Sequence, residues 1–300
     1  MSKRQNRIKK LIKLALGLVR ASRIARYSCK YSKKTFTQHQ LIVLCVLRVY
    51  LKMDYRSFAD FILFSNDLFY LLKLKRRPHF TTLQKFLKRF GSRLLDSIIE
   101  SISQQLRKVD AAVDSSGFTS SYSSRYYVMR VNRDTTYRSF MKMSIVVDPK
   151  RKLLLGVKCR KGPAHDTKDF IPLLRRLKHR FRNVIADAAY DSCKNFTFVE
   201  KELGATPVIP VRQYSSHRSG RGKIRRYRPL LPNKEVYSRR NMAETVFSVI
   251  KRKLGGDLTS RLIEVKKKEM KLKALTYNLL VLNDDKSLFI FERISTEPIE

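Results

Sequence analysis

The spacing of apolar residues divides the chain into a helical first part and a mixed second part. From about Thr37 to Val109, apolar positions recur at helical intervals: Leu41, Leu44, Cys45, Leu47 and Leu51, then Phe58, Phe61, Ile62 and Phe64. Thr81 to Phe90, following Pro78, has the pattern of a capped amphipathic helix with one basic face, and a further helix is expected from Ser92 to Arg107. At residue 110 the period shortens. Ala111-Ala112-Val113-Asp114 reads as a short apolar strand ending in a carboxylate, and Asn183-Val184-Ile185-Ala186-Asp187 as a second of the same kind. Between them, Arg138 to Val147 and Lys152 to Cys159 form two strands joined by a turn at Asp148-Pro149-Lys150. Asp166 is the expected N-cap of a helix reaching about Leu177, with Asp169 favourable to its dipole. A helix from Asn195 to Leu203, a strand from Pro207 to Val211 and two long helices complete the order. Strands and helices in that succession predict a mixed α/β domain, a five-stranded sheet with flanking helices, behind an α-helical N-terminal domain.

Charge changes the picture more than hydropathy does. Lys and Arg number 65 against 25 Asp and Glu, a formal net charge of +40. A field of that size repels itself, and a polyanionic partner is its usual counterweight; a merely solvated basic surface is the alternative. The first carboxylate of the chain is Asp54, so residues 1–36 read as a basic arm, helical from Ile8 to Ile24, able to lie on phosphates. The basic helix from Thr81 to Phe90 reads either as a recognition helix for DNA or as a surface helix. The resulting division is 1–36 basic arm, 37–109 helical DNA-binding domain, 110–285 catalytic domain and 286–300 C-terminal tail. Cys29, Cys45, Cys159 and Cys193 are dispersed, with neither zinc-ligand spacing nor a disulfide framework, as suits a reducing cytoplasm. The apolar run Leu11–Val19 is broken by Lys13 and followed by Arg20, Arg23 and Arg26, which argues against a signal peptide; no stretch has the length of a membrane span.

Candidate chemistry lies in the carboxylates. Phosphoryl transfer on DNA uses two divalent ions held by hard oxygen ligands. Asp114 and Asp187, each closing an apolar run, could supply such ligands, although either alone could equally be a turn or cap residue. The third acid belongs to a pattern. On one continuous helix, Tyr237, Arg240, Glu244 and Lys251 would lie within an arc of about 60°. Met242, Val246, Phe247, Val249, Ile250 and Leu254 would fill the neighbouring apolar sector. Glu can bind metal while Arg and Lys bind phosphate; an ordinary solvated helix face is the alternative. Asp191 is a rival to Asp187 as ligand, and His165, just before the cap, has a local structural or a site-proximal role.

Tyr237/Arg240/Glu244/Lys251 resembles the YREK signature of DDE insertion-sequence transposases, the broad group of bacterial and archaeal insertion-sequence families four and five. Val113-Asp114-Ser115-Ser116-Gly117 is similar to their first-Asp motif, and Ile185-Ala186-Asp187-Ala188-Ala189-Tyr190-Asp191-Ser192 to their second. The resemblance covers about residues 110 to 280, with a family-like helical segment from about 38 to 106. It implies an RNase H-like catalytic core, whose element order agrees with the one above. It also implies that Asp114, Asp187 and Glu244 are catalytic and hold Mg2+ or Mn2+, two ions in all, while Tyr237, Arg240 and Lys251 contact DNA. The implied activity is cut-and-paste transposition, with transposon ends and target DNA as partners, a homodimer on DNA, no membrane, and a cytoplasmic, nucleoid-associated location. The segment between Asp187 and Glu244 is too short for a large inserted domain; its cations (Arg212, Arg218, Arg221, Lys223, Arg225, Arg226, Arg228) suit a DNA-holding loop. With no Trp in the chain, a flipped base would have to stack on Tyr, Phe or Arg. Two rival functions are a nuclease of RNase H type without strand transfer and a transposase-derived DNA-binding protein that has lost catalysis.

Overall fold

A computed structural model of the chain describes residues 3–104, 106, 108–120, 140–162, 165–177, 181–211 and 233–284. The expected cationic loop after Arg212, the beginning of the strand expected from Arg138, and the C-terminal tail lie outside the described residues. By compactness the chain forms two units: Met1–Ser101 with Ile250–Gly256 and Ser260–Glu300, and Ile102–Val249 with Asp257–Thr259.

The described residues of the first unit are helical: α1 (Lys3–Ala21), α2 (Gln38–Leu51), α3 (Tyr55–Phe64), α4 (Asn66–Leu71), α5 (Phe80–Arg89) and the start of α6 (Ser92–Gln104). Local chemistry sets the helix starts. Thr37 and Gln40 exchange side-chain and backbone hydrogen bonds in a capping box, Asp54 accepts from Arg56 and Ser57, and His79 accepts from the Thr81 N–H. Within the stretch read as a basic arm, helical from Ile8 to Ile24, Lys3–Ala21 make α1, which packs on α2 and on the long C-terminal helix. The reason is its stripe of Leu11, Ile12, Leu14, Ala15, Leu18 and Val19, all buried. An arm lying only on phosphates would leave that stripe in water. Lys9, Lys13 and Arg20 occupy the opposite, exposed stripe.

The C-terminal helix (Ile263–Asp284, α11 below) is buried over most of its circumference, lysines included. Three of them, Lys268, Lys271 and Lys273, have hydrogen-bond partners. Lys268 donates to the carbonyls of Leu87 and Lys88 at 3.0 and 2.7 Å, where α5 ends, and Lys273 donates to Gly255 O at 2.6 Å. Lys271 bonds Asp96 at 2.7 Å and Ser92 Oγ at 2.8 Å. A cation against terminal carbonyls offsets the helix dipole; burial still lowers the Lys268 pKa.

The second unit is built on a mixed sheet of six strands: β1 (Val109–Ser120), β2 (Met141–Asp148), β3 (Leu153–Lys161), β4 (Phe181–Ile185), β5 (Thr206–Val208) and β6 (Asp257–Leu258). The main path is β3-β2-β1-β4-β5, and β6 pairs with the far end of β1. The β1–β2 and β2–β3 pairs are antiparallel; β1–β4, β4–β5 and β1–β6 are parallel. The mixed α/β architecture is therefore present, with a sixth, two-residue strand beyond the five expected. Asp148 makes the β2–β3 turn as anticipated, its Oδ1 accepting from Lys150 N at 2.9 Å. Helix α7 (Thr167–Arg176) and helix α8 (Cys193–Thr197), prolonged by a π-helical turn at Phe198–Glu202, cover one face. There Val109, Ala111 and Val113 of β1 pack with Phe170, Leu173 and Leu174 of α7 and with Phe196 and Val199. Strand alternation then sends Asp110, Ala112 and Asp114 to the other face. Among the described residues after β5 are α9 (Lys234–Ser238), α10 (Asn241–Leu254), which runs from the second unit into the residues of the first, and the long C-terminal helix α11.

Candidate active site

Asp114 does not end its strand. β1 continues to Ser120, because Ser115 to Phe118 keep pairing with β2 and Thr119–Ser120 with β6. Asp187, by contrast, does follow a strand end, two residues beyond Ile185. The parallel register pairs Ala111 with Val184 and Ala112 with Ile185. Carried two residues further, past the end of β4, this register would bring Asp187 level with Asp114, with paired backbones about 4.8 Å apart. Ala186 N–H bonds Val208 O at 3.3 Å, which holds the chain extended up to this point.

Both aspartates are also tied down locally. Asp114 Oδ1 accepts from Ser115 N at 2.8 Å; Asp187 Oδ1 accepts from Ala189 N at 2.9 Å, capping a 3-10 turn at Ala188–Tyr190. Asp187 thus combines the cap role with its position beside Asp114. The Asp114 carboxyl is held above the usual carboxylate range: burial is the main cause, and the charges of Asp187 and Glu244 add to it. The Ser115 amide and Arg240 oppose the shift. Asp114 therefore feels both other acids of the sequence pattern.

The signature residues do not share one continuous helix. Tyr237 is in α9, Arg240 in a turn, and Glu244 and Lys251 in α10. The interruption is a stretch of i→i−3 bonds: Arg239 N to Val236 O, Arg240 N to Tyr237 O, Met242 N to Arg239 O and Ala243 N to Arg240 O. Contact replaces the expected arc for three of the four. Arg240 pairs with Glu244 at 2.7 Å and its guanidinium carbon lies 5.9 Å from the Tyr237 ring centroid. Lys251, seven residues beyond Glu244, falls on the same helical face. Inward, the stripe is Ala243, Val246, Phe247, Ile250 and Leu254, all buried, while Met242 and Val249 are only half-buried.

Two groups absent from the sequence expectations fasten this turn to the sheet. Arg239 Nη1 meets Asp110 Oδ2 at 2.7 Å, and Asp110 Oδ1 accepts from Asn183 Nδ2 at 2.9 Å. Asp110 thus links β1, β4 and the α9–α10 turn, two strand periods before Asp114. The neighbouring arginines divide the work: Arg239 reaches Asp110, and Arg240 reaches Glu244.

On the α7 face a second polar chain runs beneath the aspartates. Ser115 Oγ lies 2.9 Å from both Tyr190 Oη and Ser144 Oγ, and Ser144 donates to Asp169 Oδ2 at 3.2 Å. Asp169 is buried and faces Lys158 at 3.1 Å and Arg160 at 2.7 Å. The expected dipole role of Asp169 is therefore secondary to a buried charge centre. Asp166 occupies the N-cap position of α7 without a side-chain cap bond and pairs instead with Lys142. The Tyr190 phenol is pushed above its ordinary range by burial. His165 is exposed, its carbonyl accepting from Arg160 at 2.7 Å, and Asp191 closes the 3-10 turn as its C-cap. A Tyr beside a polar turn was the available signal for the Tyr190 link; nothing in the spacing pointed to Asp169.

Among the described residues, no group of three or more His, Cys, Asp or Glu side chains is gathered closely enough to hold a metal ion. Glu244 is engaged by Arg240 and is half exposed. No helix of the described residues is long and apolar enough to cross a membrane.

The profile of the family described as Transposase DDE domain matches residues 106–279. That is more than half of the chain, and the chain belongs to that transposase family. No curated protein sequence matches it. Among solved structures, a piggyBac transposase in a synaptic complex with hairpin DNA is 13% identical, covering 96% of this chain and 76% of that chain, with a TM-score of 0.47.

Proposed function

We propose that the chain carries out cut-and-paste transposition of an insertion sequence of the bacterial and archaeal type bearing the YREK signature, with Asp114, Asp187 and Glu244 as its catalytic carboxylates. The observation that carries this reading is the register of the parallel β1–β4 pair, which, extended two residues past Ile185, brings Asp187 level with Asp114, together with Glu244 raising the proton affinity of Asp114. The sheet order β3-β2-β1-β4-β5, antiparallel then parallel, supports an RNase H-like core.

The donor set fits divalent cations in its chemistry: three hard carboxylates, one of them with its proton affinity raised by burial and by its acidic neighbours. Asp114, Asp187 and Glu244 would hold Mg2+ or Mn2+, two ions on this reading, after Glu244 exchanges its contact with Arg240. When bound, such ions neutralise charge on the attacking and leaving oxygens of a phosphoryl transfer. The remaining work falls to the protein. Ser115 N–H and Ala189 N–H fix the two aspartates, and Asp110 with Arg239 fixes the turn that carries Arg240. Arg240, released from Glu244, and Lys251 supply cations for phosphate, with Tyr237 stacked beside the strand. Water attacks phosphorus at the element end and frees a 3′-hydroxyl; that hydroxyl then attacks target phosphorus and displaces the adjoining 3′ oxygen. Joining two ends implies a homodimer on DNA, and action on chromosomal DNA implies a nucleoid-associated protein of the cytoplasm.

One observation favours a second reading, a transposase-derived DNA-binding protein without catalysis. In this structure Glu244 is held by Arg240, and no metal-competent cluster is formed among the described residues. Single-turnover cleavage of DNA bearing the element ends, with Mg2+, decides between them. Asp114→Asn, Asp187→Asn and Glu244→Gln are each expected to abolish cleavage while DNA affinity stays near wild type. An inactive wild type that still binds these ends would establish the second reading. Cleavage without joining of the 3′ ends to a plasmid would leave a nuclease.

A further inference from the structure

The first unit contains a cleft of about 730 Å³ between the segment joining α1 to α2 and the α5–α6 region. Arg23, Lys33, Arg76, Lys85 and Arg89 line it, each exposed, and no carboxylate belongs to the lining. Its apolar wall includes the half-buried rings of Tyr27 and Phe36, and Arg76 lies over Phe36 at 5.9 Å from the ring centroid. Cations alone would suit any polyanion. Cations alternating with partly open aromatic faces in a concavity suit a chain that offers both phosphates and planar rings.

We propose that this cleft binds unpaired nucleotides of DNA, with phosphates on Arg23, Lys33, Arg76, Lys85 and Arg89 and bases stacked on Tyr27 and Phe36. The proposal rests on the reading of the chain as one that opens DNA at element ends. A duplex keeps its bases stacked within itself and presents chiefly backbone to a protein surface. An unpaired strand can turn its bases into a pocket while its phosphates follow the basic rim. The stretch from Arg23 to Phe36, read in the sequence as the end of a basic arm, thereby acquires a specific partner. Its proximity to the exposed cations of α5 gives that helix a role other than reading a groove.

The test measures fluorescence anisotropy of the full chain with a labelled single strand about a dozen nucleotides long, its duplex, and its ribose equivalent. EDTA is present so that no cleavage intervenes, and several salt concentrations are used. Phe36→Leu and Tyr27→Leu are expected to weaken single-strand binding by about 5- to 150-fold each, without altering the salt slope. Lys85→Gln and Arg89→Gln should each reduce that log–log slope by about 0.7. Duplex affinity of the two leucine variants should match wild type. Because the glutamine variants change exposed side chains, they keep the test valid if a leucine variant folds poorly. Unchanged single-strand affinity and slope in all four would overturn the proposal, as would equal losses for duplex and single strand, or a tighter complex with the ribose strand. Wild-type cleavage of element ends, assayed separately with Mg2+, distinguishes the failures: absent cleavage with intact single-strand binding refutes only the transposition reading, and the reverse refutes only the cleft.

Discussion

Replacing Asp114 by Asn removes a charge that the fold holds at a cost. Burial and the neighbouring Asp187 and Glu244 raise its pKa above the unfolded value, which is about 3.9. The sign follows from linkage. A carboxyl with a raised folded pKa stabilises the native state below its unfolded pKa, and that contribution is lost as pH rises through the folded one. The Asn variant lacks this loss. Its melting temperature relative to wild type, in EDTA, should therefore climb as pH rises above about 4. Relief of a strained functional group commonly contributes about 0.5–2 kcal/mol, and 1 kcal/mol moves the midpoint of a domain this size by about 2–4 °C. A gain of roughly 1–8 °C at pH 7 is expected. Adding Mg2+ should reverse the order. At a free ion concentration about a hundredfold above Kd, the wild type gains about 2.7 kcal/mol, while a variant lacking one ligand gains less. Thermal melts followed by circular dichroism, with both proteins at each pH and with and without Mg2+, provide the measurement. A melting difference independent of pH, or equal stabilisation of both proteins by Mg2+, would refute the picture of three carboxylates converging to hold cations.

The other expectations concern the supports of the site. Tyr190→Phe removes the phenol that bonds Ser115, so a loss of about 1–2 kcal/mol in denaturant melts is expected, with slower cleavage. Asp169→Asn leaves Lys158 and Arg160 without their carboxylate; urea titration should show a loss near 3 kcal/mol, the lower end for a buried pair because both cations are partly hydrated. Lys251→Ala should slow single-turnover cleavage by roughly 10- to 150-fold, and Lys253→Ala far less; equal rates would detach this helix face from the scissile strand. Truncating the N-terminus would remove core residues of α1, so its role on DNA is better tested by Lys9→Gln, Lys13→Gln and Arg20→Gln together. These should leave the melt unchanged and lower the salt slope by about 0.9 for each duplex phosphate that the three cations neutralise in the wild type.

What the linear pattern conveyed, and what it did not, divides along a physical line. Strand β4, the β2–β3 turn at Asp148 and the buried helix from Leu41 to Val49 were legible because each has its own period or punctuation. The extent of β1 beyond Asp114 was not, because Ser115-Ser116-Gly117 carries no apolar alternation; its continuation depends on pairing with β2 and β6. The break between α9 and α10 contains neither Gly nor Pro, and the Arg239–Asp110 bond that accompanies it joins residues far apart in the chain. Asp169 looks like a helix-start acid in the sequence, since its two cations belong to β3, a different element. The amphipathic stripe of α1 is visible in its spacing, but the surrounding cations favour an arm until its neighbours α2 and α11 are known.

The order in which the acids occur along the chain has a consequence for synthesis. Asp114 lies on the central strand, whose antiparallel neighbour β2 is the next described strand in the chain, with β3 pairing on β2 in turn, whereas its parallel neighbour β4 must await the crossover through α7. Asp187 can therefore take its place only after that longer loop has closed, and Glu244 later still, with α10. On the proposed reading, a nascent chain on the ribosome holds an incomplete set of acids until Glu244 has been made, so a product terminated before that residue would lack the third of them.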